Sequence, residues 1–266
     1  MRRHDSLSSR ARGLLAMLCL GLLLGESASA ESGSLRPHEI SYHFAFHGLS
    51  GGDLKLTLKR DADVDRWIYE TRANPSFLAR LVVSSDSLER SWFKVTPEGV
   101  EPLHYKLDDG TSKHADDAEF RYDWEHGRVA GTVRGAALDL ATAPGLQDVM
   151  SIRAAPMVDL LAGRELHEYA MLDGREIKHY VYSRGGTEKI KTALGEVDTV
   201  IVNSDRKGAG GHGRMWRYWY APSLNWLPVR IEQREDGQAR MVLTVRSLKW
   251  LEPAAPAGAT PGTRPQ

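Results

Sequence analysis

The chain has one cysteine, Cys19, in 266 residues. No internal disulfide can form, so the fold must be held by a packed core. Charge of one sign is also lacking. Lys+Arg 35 balances Asp+Glu 35, and no block of like charge stands out. That leaves no basic field to hold nucleic acid. Long apolar runs are missing too. The main one, Leu14 to Leu24, is short of the ~20 residues a spanning helix needs. At 41% hydrophobic and 26% charged, the composition is that of a globular chain. A nucleic-acid binder, a disordered chain and a multi-span membrane protein are therefore excluded.

The N-terminus sets the compartment. Arg2, Arg3, Arg10 and Arg12 precede the apolar run, and Ala28-Ser29-Ala30 follows it. This order of parts reads as a secretory signal peptide over residues 1–30, cut before Glu31. No twin-arginine pattern follows Arg2-Arg3, and an uncleaved anchor is the alternative. Cys19 lacks the small preceding residues of a lipid-attachment site and leaves with the signal. The expected location is the periplasm, with no membrane span after cleavage. At the other end, residues 253–266 are rich in Pro, Ala, Gly and Thr. With little apolar surface to bury, they read as a disordered tail. Residues 31–252 remain as a single β-rich domain.

Within that domain the dominant period is two, the strand period. Ile40, Tyr42, Phe44 and Phe46 alternate with more polar neighbours, as do Leu54, Leu56 and Leu58. Gly51-Gly52 between them supplies the positive φ of a tight hairpin turn. Further strands are expected over 66–73, 87–95, 100–107, 119–124, 128–134, 166–171, 176–183, 187–192, 196–203, 215–220, 228–234 and 239–250. Turn signals such as Pro97-Glu98-Gly99, His126-Gly127 and Asp173-Gly174 separate several of them. Short links favour antiparallel pairing. The exception is a helical insert near 146–162, where Val149, Ile152, Val158 and Leu161 recur near helical spacing and Pro156 interrupts. Residues 77–81 are expected to form another helical turn. The fold class is mainly β: a curved antiparallel sheet or incomplete barrel with one short helical insert.

Few motifs carry chemistry. Gly208 to Gly213 resembles a dinucleotide fingerprint, but its neighbours read as strands, so it is a loop. His43 and His47 lack the companions of a metal set, and the other histidines are scattered. No serine lies in G-x-S-x-G. Asp148 and Ser151 have the short side-chain oxygens that accept a backbone N–H at a helix start. Asp108-Asp109 and Asp116-Asp117 read as solvated turns. No catalytic residue, cofactor or metal ligand is assigned.

The unusual feature is aromatic. Met215 to Tyr220 puts large rings on both faces of one strand, and Trp226 follows. Tyr180 and Tyr182 share a face of another strand. Trp and Tyr suit both a core and an apolar cavity with polar anchors. Trp216, Tyr218, Tyr220, Trp226, Tyr180 and Tyr182 are thus the candidate ligand-lining residues, with the Trp216 face turned inward.

The segment Gly145 to Ser151, Leu172-Asp173-Gly174, the stretch Trp216 to Arg230, the Tyr42-x-Phe44-x-Phe46 strand and Gly51-Gly52 carry a resemblance. Over roughly 38–250 the chain resembles the bacterial exported proteins grouped as domain of unknown function 3108. That resemblance implies a periplasmic β-rich domain, with no established activity or catalytic residues to carry over. Leu227-Pro228-Val229-Arg230 after the aromatic strand is similar, more weakly, to lipoprotein-carrier half-open barrels, which cup acyl chains in an aromatic-lined hollow. Three readings stand: a non-enzymatic binder of a lipophilic envelope molecule, an envelope scaffold or protein-interaction module whose rings are core, and an unrecognised hydrolase. N-terminal sequencing of exported protein should begin near Glu31; Met1 retained on membrane-bound protein would contradict the signal.

Overall fold

In the computed structural model, which describes residues 33–75, 86–208 and 215–252, side-chain alternation sets the architecture. Along β1 (His38–Phe46), residues His38, Ile40 and Tyr42 are buried while their neighbours are half-buried. The same period buries Leu56 and Leu58 of β2 (Leu49–Arg60) and Trp67, Tyr69 and Thr71 of β3 (Trp67–Pro75). It also buries Ser91 and Phe93 of β4 (Leu88–Thr96), Val100 and Pro102 of β5 (Gly99–Asp108), and Phe120 and Tyr122 of β6 (Ala118–Asp123). β7 (Arg128–Val133) and β8 (Ala136–Ala141) finish this first run. The second run comprises β9 (Gln147–Asp148), β10 (Glu168–Asp173), β11 (Glu176–Thr192), β12 (Gly195–Arg206), β13 (Met215–Ala221), β14 (Leu227–Glu235) and β15 (Gln238–Trp250).

All belong to one 15-stranded sheet, ordered β8-β7-β6-β5-β4-β3-β2-β1-β15-β14-β13-β12-β11-β10-β9. Every neighbour pair is antiparallel except β9 with β10. The order is cyclic with one break: β8 and β9 adjoin in the chain but do not pair. This is a barrel left open at one seam. Register shifts, such as those at Ser41/Tyr42 and Trp92/Phe93, are bulges that sharpen local twist and let a long sheet curl.

The insert follows β9 and packs against β4 and β5. A 3-10 turn, Ser151–Arg153, leads into helix α1 (Ala155–Leu161). Pro156 sits in the first turn of α1, where its missing N–H costs no bond, so it separates the two pieces. Leu146, Met150, Ala154 and Met157 are fully buried. Gln147 pairs with Met171 of β10, while its Nε2 donates to Val100 O of β5 at 2.8 Å. Asp148 reaches further, accepting from Ser91 Oγ of β4 at 2.7 Å. Its Oδ1 accepts from the Met150 and Ser151 N–H groups at 2.8 and 2.7 Å. The cap residues of the two pieces, Met150 and Ala154, have no side-chain bond; Asp148 instead holds the Met150 and Ser151 N–H groups from just upstream and, through Ser91, joins the two halves of the sheet. At the far end of α1, Asp159 receives Arg164 at 2.7 Å and the Tyr169 hydroxyl.

Several local expectations are corrected. The first hairpin turns at His47-Gly48, both with positive φ, not at Gly51-Gly52, which lie inside β2. A Cβ at Gly51 would come within 2.1 Å of Phe44 Cδ1, so this glycine makes room for a ring. The expected strands 176–183 and 187–192 are one strand, β11, with a bulge after Arg184. β8 was hidden because its hairpin turn uses Arg134 in a left-handed conformation before Gly135. The signal segment, the helical turn at 77–81, residues 209–214 of the glycine loop and the tail lie outside the described residues.

Asp148 generates a test. Burial pushes its pKa up to about 6, against the bonds from Ser151, Ser91 and Met150 that favour the carboxylate. A folded pKa above the unfolded value gives stability below pH ~4 that is lost as pH rises through ~6, on the order of 3 kcal/mol. His38, pushed down to about 4 by burial, slopes the other way, so variants are compared with the parent at each pH. Asp148→Asn keeps an acceptor for both N–H groups, and the Ser91 hydroxyl can turn to accept. Its melting temperature relative to the parent should rise between pH 4 and 7. Asp148→Ala orphans three buried groups and should lose several kcal/mol throughout. A pH-independent difference for Asp148→Asn would contradict a buried ionised carboxylate.

Candidate functional site

The sheet does not fill its own interior. A cavity of about 910 Å³ lies between the wall of β1–β3, the wall of β10–β15, and Val149, Ile152 and Arg153 of the insert. This is at the upper end of the size common for small-molecule sites. Its lining follows from strand register. Tyr182, Ser204, Trp216, Gln233 and Met241 stand opposite one another across β11 to β15. Two residues further along, Val202, Tyr218, Ile231, Leu243 and Phe44 form a second row. Beyond these stands Tyr220, with Tyr42 nearby donating to Pro228 O at 2.6 Å.

Period two on β13 separates two environments. Trp216, Tyr218 and Tyr220 face the cavity, with ring centroids 6.4 and 5.7 Å apart along the strand. Tyr218 stacks on Tyr182 at 6.0 Å, and Tyr182 meets Tyr169 edge-on at 4.9 Å. The alternate residues point away. Arg217 donates to Asn203 Oδ1 at 2.9 Å, and Trp219 Nε1 to Glu188 Oε2 at 2.7 Å, with Arg230 over the Trp219 ring at 5.3 Å.

Burial raises the pKa of the Tyr42, Tyr218 and Tyr220 phenols well above the ordinary value, and that of Tyr69 to about 12. All are neutral hydroxyl donors near pH 7. The Arg153 charge opposes the rise at each of them. Ser204 Oγ is buried beside the Tyr182 hydroxyl without the geometry of a full hydrogen bond.

Of the six sequence candidates, Trp216, Tyr218, Tyr220, Tyr180 and Tyr182 lie in this wall. Trp226 does not. The 3-10 turn Pro222–Leu224 ends the strand, and Asn225 and Trp226 both take positive φ. That turn carries the Trp226 ring to the Arg184 guanidinium, 5.8 Å away. Sequence reasoning missed Tyr42, Phe44, Tyr69 and Met241, because distant strands bring them in. It also missed Arg153, whose signal was that it is the one basic residue of the 146–162 insert.

The groups of hydrolytic chemistry are engaged elsewhere. Ser151 Oγ accepts from Asp148 N at 2.9 Å, and Asp159, the carboxylate facing His167 at 3.7 Å, is bonded by Tyr169. The β5–β6 loop brings Asp108, Asp109, His114 and Asp117 together, ligand atoms within 4.8 Å. The two acidic turns thus meet through Asp117, while the Asp116 carboxylate pairs with Arg134 at 2.9 Å. The cluster's oxygens accept loop N–H groups, among them Thr111 and Asp116 to Asp109 at 2.7 and 3.0 Å.

The profile of the family described as "Protein of unknown function (DUF3108)" matches residues 39–244. The chain belongs to that family. No curated protein matches it. A crystal structure described as a beta-barrel-like protein of domain of unknown function DUF1849, from Brucella abortus, superposes with TM-score 0.52. It has 10% identity and covers 83% of this chain and 100% of the other. That likeness shows a shared fold. A candidate lipoprotein from Parabacteroides distasonis aligns at TM-score 0.34, with 10% identity over 81% of this chain and 96% of the other. A candidate outer membrane lipoprotein-sorting protein domain from Vibrio parahaemolyticus aligns at TM-score 0.22, with 9% identity over 85% and 86%. Overlaps that small carry no argument. Among the described residues of this DUF3108 protein, no helix is long and apolar enough to cross a membrane.

The two tryptophans of β13 separate wall from core. Trp219 is 6% exposed and hydrogen-bonded, so Trp219→Ala should cost about 3–5 kcal/mol. Trp216 borders the cavity and has fewer protein contacts to lose. Trp216→Ala should cost clearly less in chemical denaturation; equal losses would contradict the two-faced strand.

Proposed function

We propose that this DUF3108 protein is a non-enzymatic binder of a lipophilic cell-envelope molecule, working in the periplasm. The carrying observation is the cavity of about 910 Å³, walled mainly by aromatic and aliphatic side chains with a minority of polar ones. A core closed only for stability would be packed to near-crystalline density. Here the insert and the two sheet walls, with the rings of β13 among their side chains, frame the space instead of filling it. Such a surface favours an apolar guest, with the hydroxyls of the wall to orient it. At the rim, Phe46 stands opposite Met241 and is 49% exposed, an apolar lip for a guest arriving from a membrane or another protein. Ser151 and Asp159 are taken up in structural hydrogen bonds, which favours binding over hydrolysis. The Arg-rich start and Ala28-Ser29-Ala30 support export.

The test is titration with N-phenyl-1-naphthylamine, a neutral dye that fluoresces in apolar surroundings. Saturable enhancement is expected. Met241→Trp, which narrows the rim, should weaken it by about tenfold, and Trp216→Ala should weaken it with the fold retained. A folded protein without saturable enhancement, or a dye response indifferent to both substitutions, would favour the scaffold reading.

A further inference from the structure

Six charged side chains reach the cavity wall: Asp53, Arg153, Asp173, Lys178, Arg206 and Glu235. Each carboxylate has a basic partner. Asp53 holds Arg246 at 2.9 Å, Asp173 holds Lys178 at 2.5 Å, and Glu235 holds Arg240 at 3.4 Å. Two guanidinium groups are left without a carboxylate among the described residues. Arg206 is exposed at the end of β12. Arg153 is half-buried on the insert, fixed by Nε to Val149 O at 3.3 Å. Its charge is felt at the Tyr42, Tyr69, Tyr182, Tyr218 and Tyr220 phenols. Tyr69 and Tyr220 both line the cavity and are each 2% exposed.

A guanidinium and neutral phenol donors converging on one space satisfy an anion: the planar fork matches a carboxylate or phosphate, and the hydroxyls donate to its remaining lone pairs. Resting on the reading of the cavity as a lipophile site, we infer that its ligand is an anionic amphiphile. Its carboxylate or phosphate pairs with Arg153 between Tyr69 and Tyr220, and its chain runs toward Trp216 and Met241. Tyr220 and Trp216 are four residues apart on β13, about 13 Å at ~3.3 Å per residue, a path suited to an extended acyl chain.

The probes are myristate, myristyl phosphate and myristyl alcohol, competing with N-phenyl-1-naphthylamine for the full mature protein. At least one anion should bind about tenfold or more tightly than the alcohol, the size expected of a charge-assisted bond. Preference between the two anions distinguishes a fatty acid from a phosphate-bearing guest. Arg153→Met should reduce the anion-to-alcohol ratio to within about twofold, and Arg153→Lys should keep part of it. An alcohol binding as well as both anions to the parent protein would overturn the anion anchor and leave the cavity reading standing. So would a ratio that survives in Arg153→Met. Failure of all three probes and the dye would overturn both.

Discussion

The structure depends on one buried carboxylate. A sheet that follows the chain round in cyclic order would close by pairing its last strand with its first. Here β8 and β9 do not pair, and side-chain bonds do the joining. Asp148 binds the start of the insert through two backbone N–H groups and β4 through Ser91. Gln147 binds β5 while its own backbone pairs with β10. A buried charge is costly unless well bonded, and the raised Asp148 pKa registers that cost. Without this joint the insert is held by apolar contacts and, at its far end, by the Asp159 bonds to Arg164 and Tyr169.

The joint also positions the site. Anchoring residues 145–151 across the break turns Val149, Ile152 and Arg153 toward the interior. The insert is therefore both plug and wall. The sheet shows the same division of labour on β13, where alternate residues serve the cavity and, on the other face, a layer of side-chain hydrogen bonds and a cation–π contact. Rigid rings suit a lining, since aromatic side chains lose little conformational entropy when they receive a guest.

Much of the fold was legible because strand alternation is a local signal. Ile40-Tyr42, Leu56-Leu58 and Trp67-Tyr69 declare their inward face without reference to partners. The aromatic strand declared two faces but not which was inside, since both carry large rings. Elements that depend on distant chain were not legible. Gly51 resembles a turn glycine, yet its role is to admit the Phe44 ring from the neighbouring strand. Trp226 shares the local composition of the cavity strand, but a turn of positive-φ residues redirects it. Arg153 became meaningful only once Tyr69 and Tyr220, far apart in sequence, were brought around the same space.

The account's central claim is that the space framed by the sheet and its insert holds a lipophilic guest. Native mass spectrometry of the protein purified without detergent tests it most directly, with the same sample extracted into organic solvent. The account predicts a population heavier than the bare chain by a discrete mass, which extraction removes and recovers as an amphiphile. A single species at the mass of the bare chain alone, with no lipid in the extract, would contradict it.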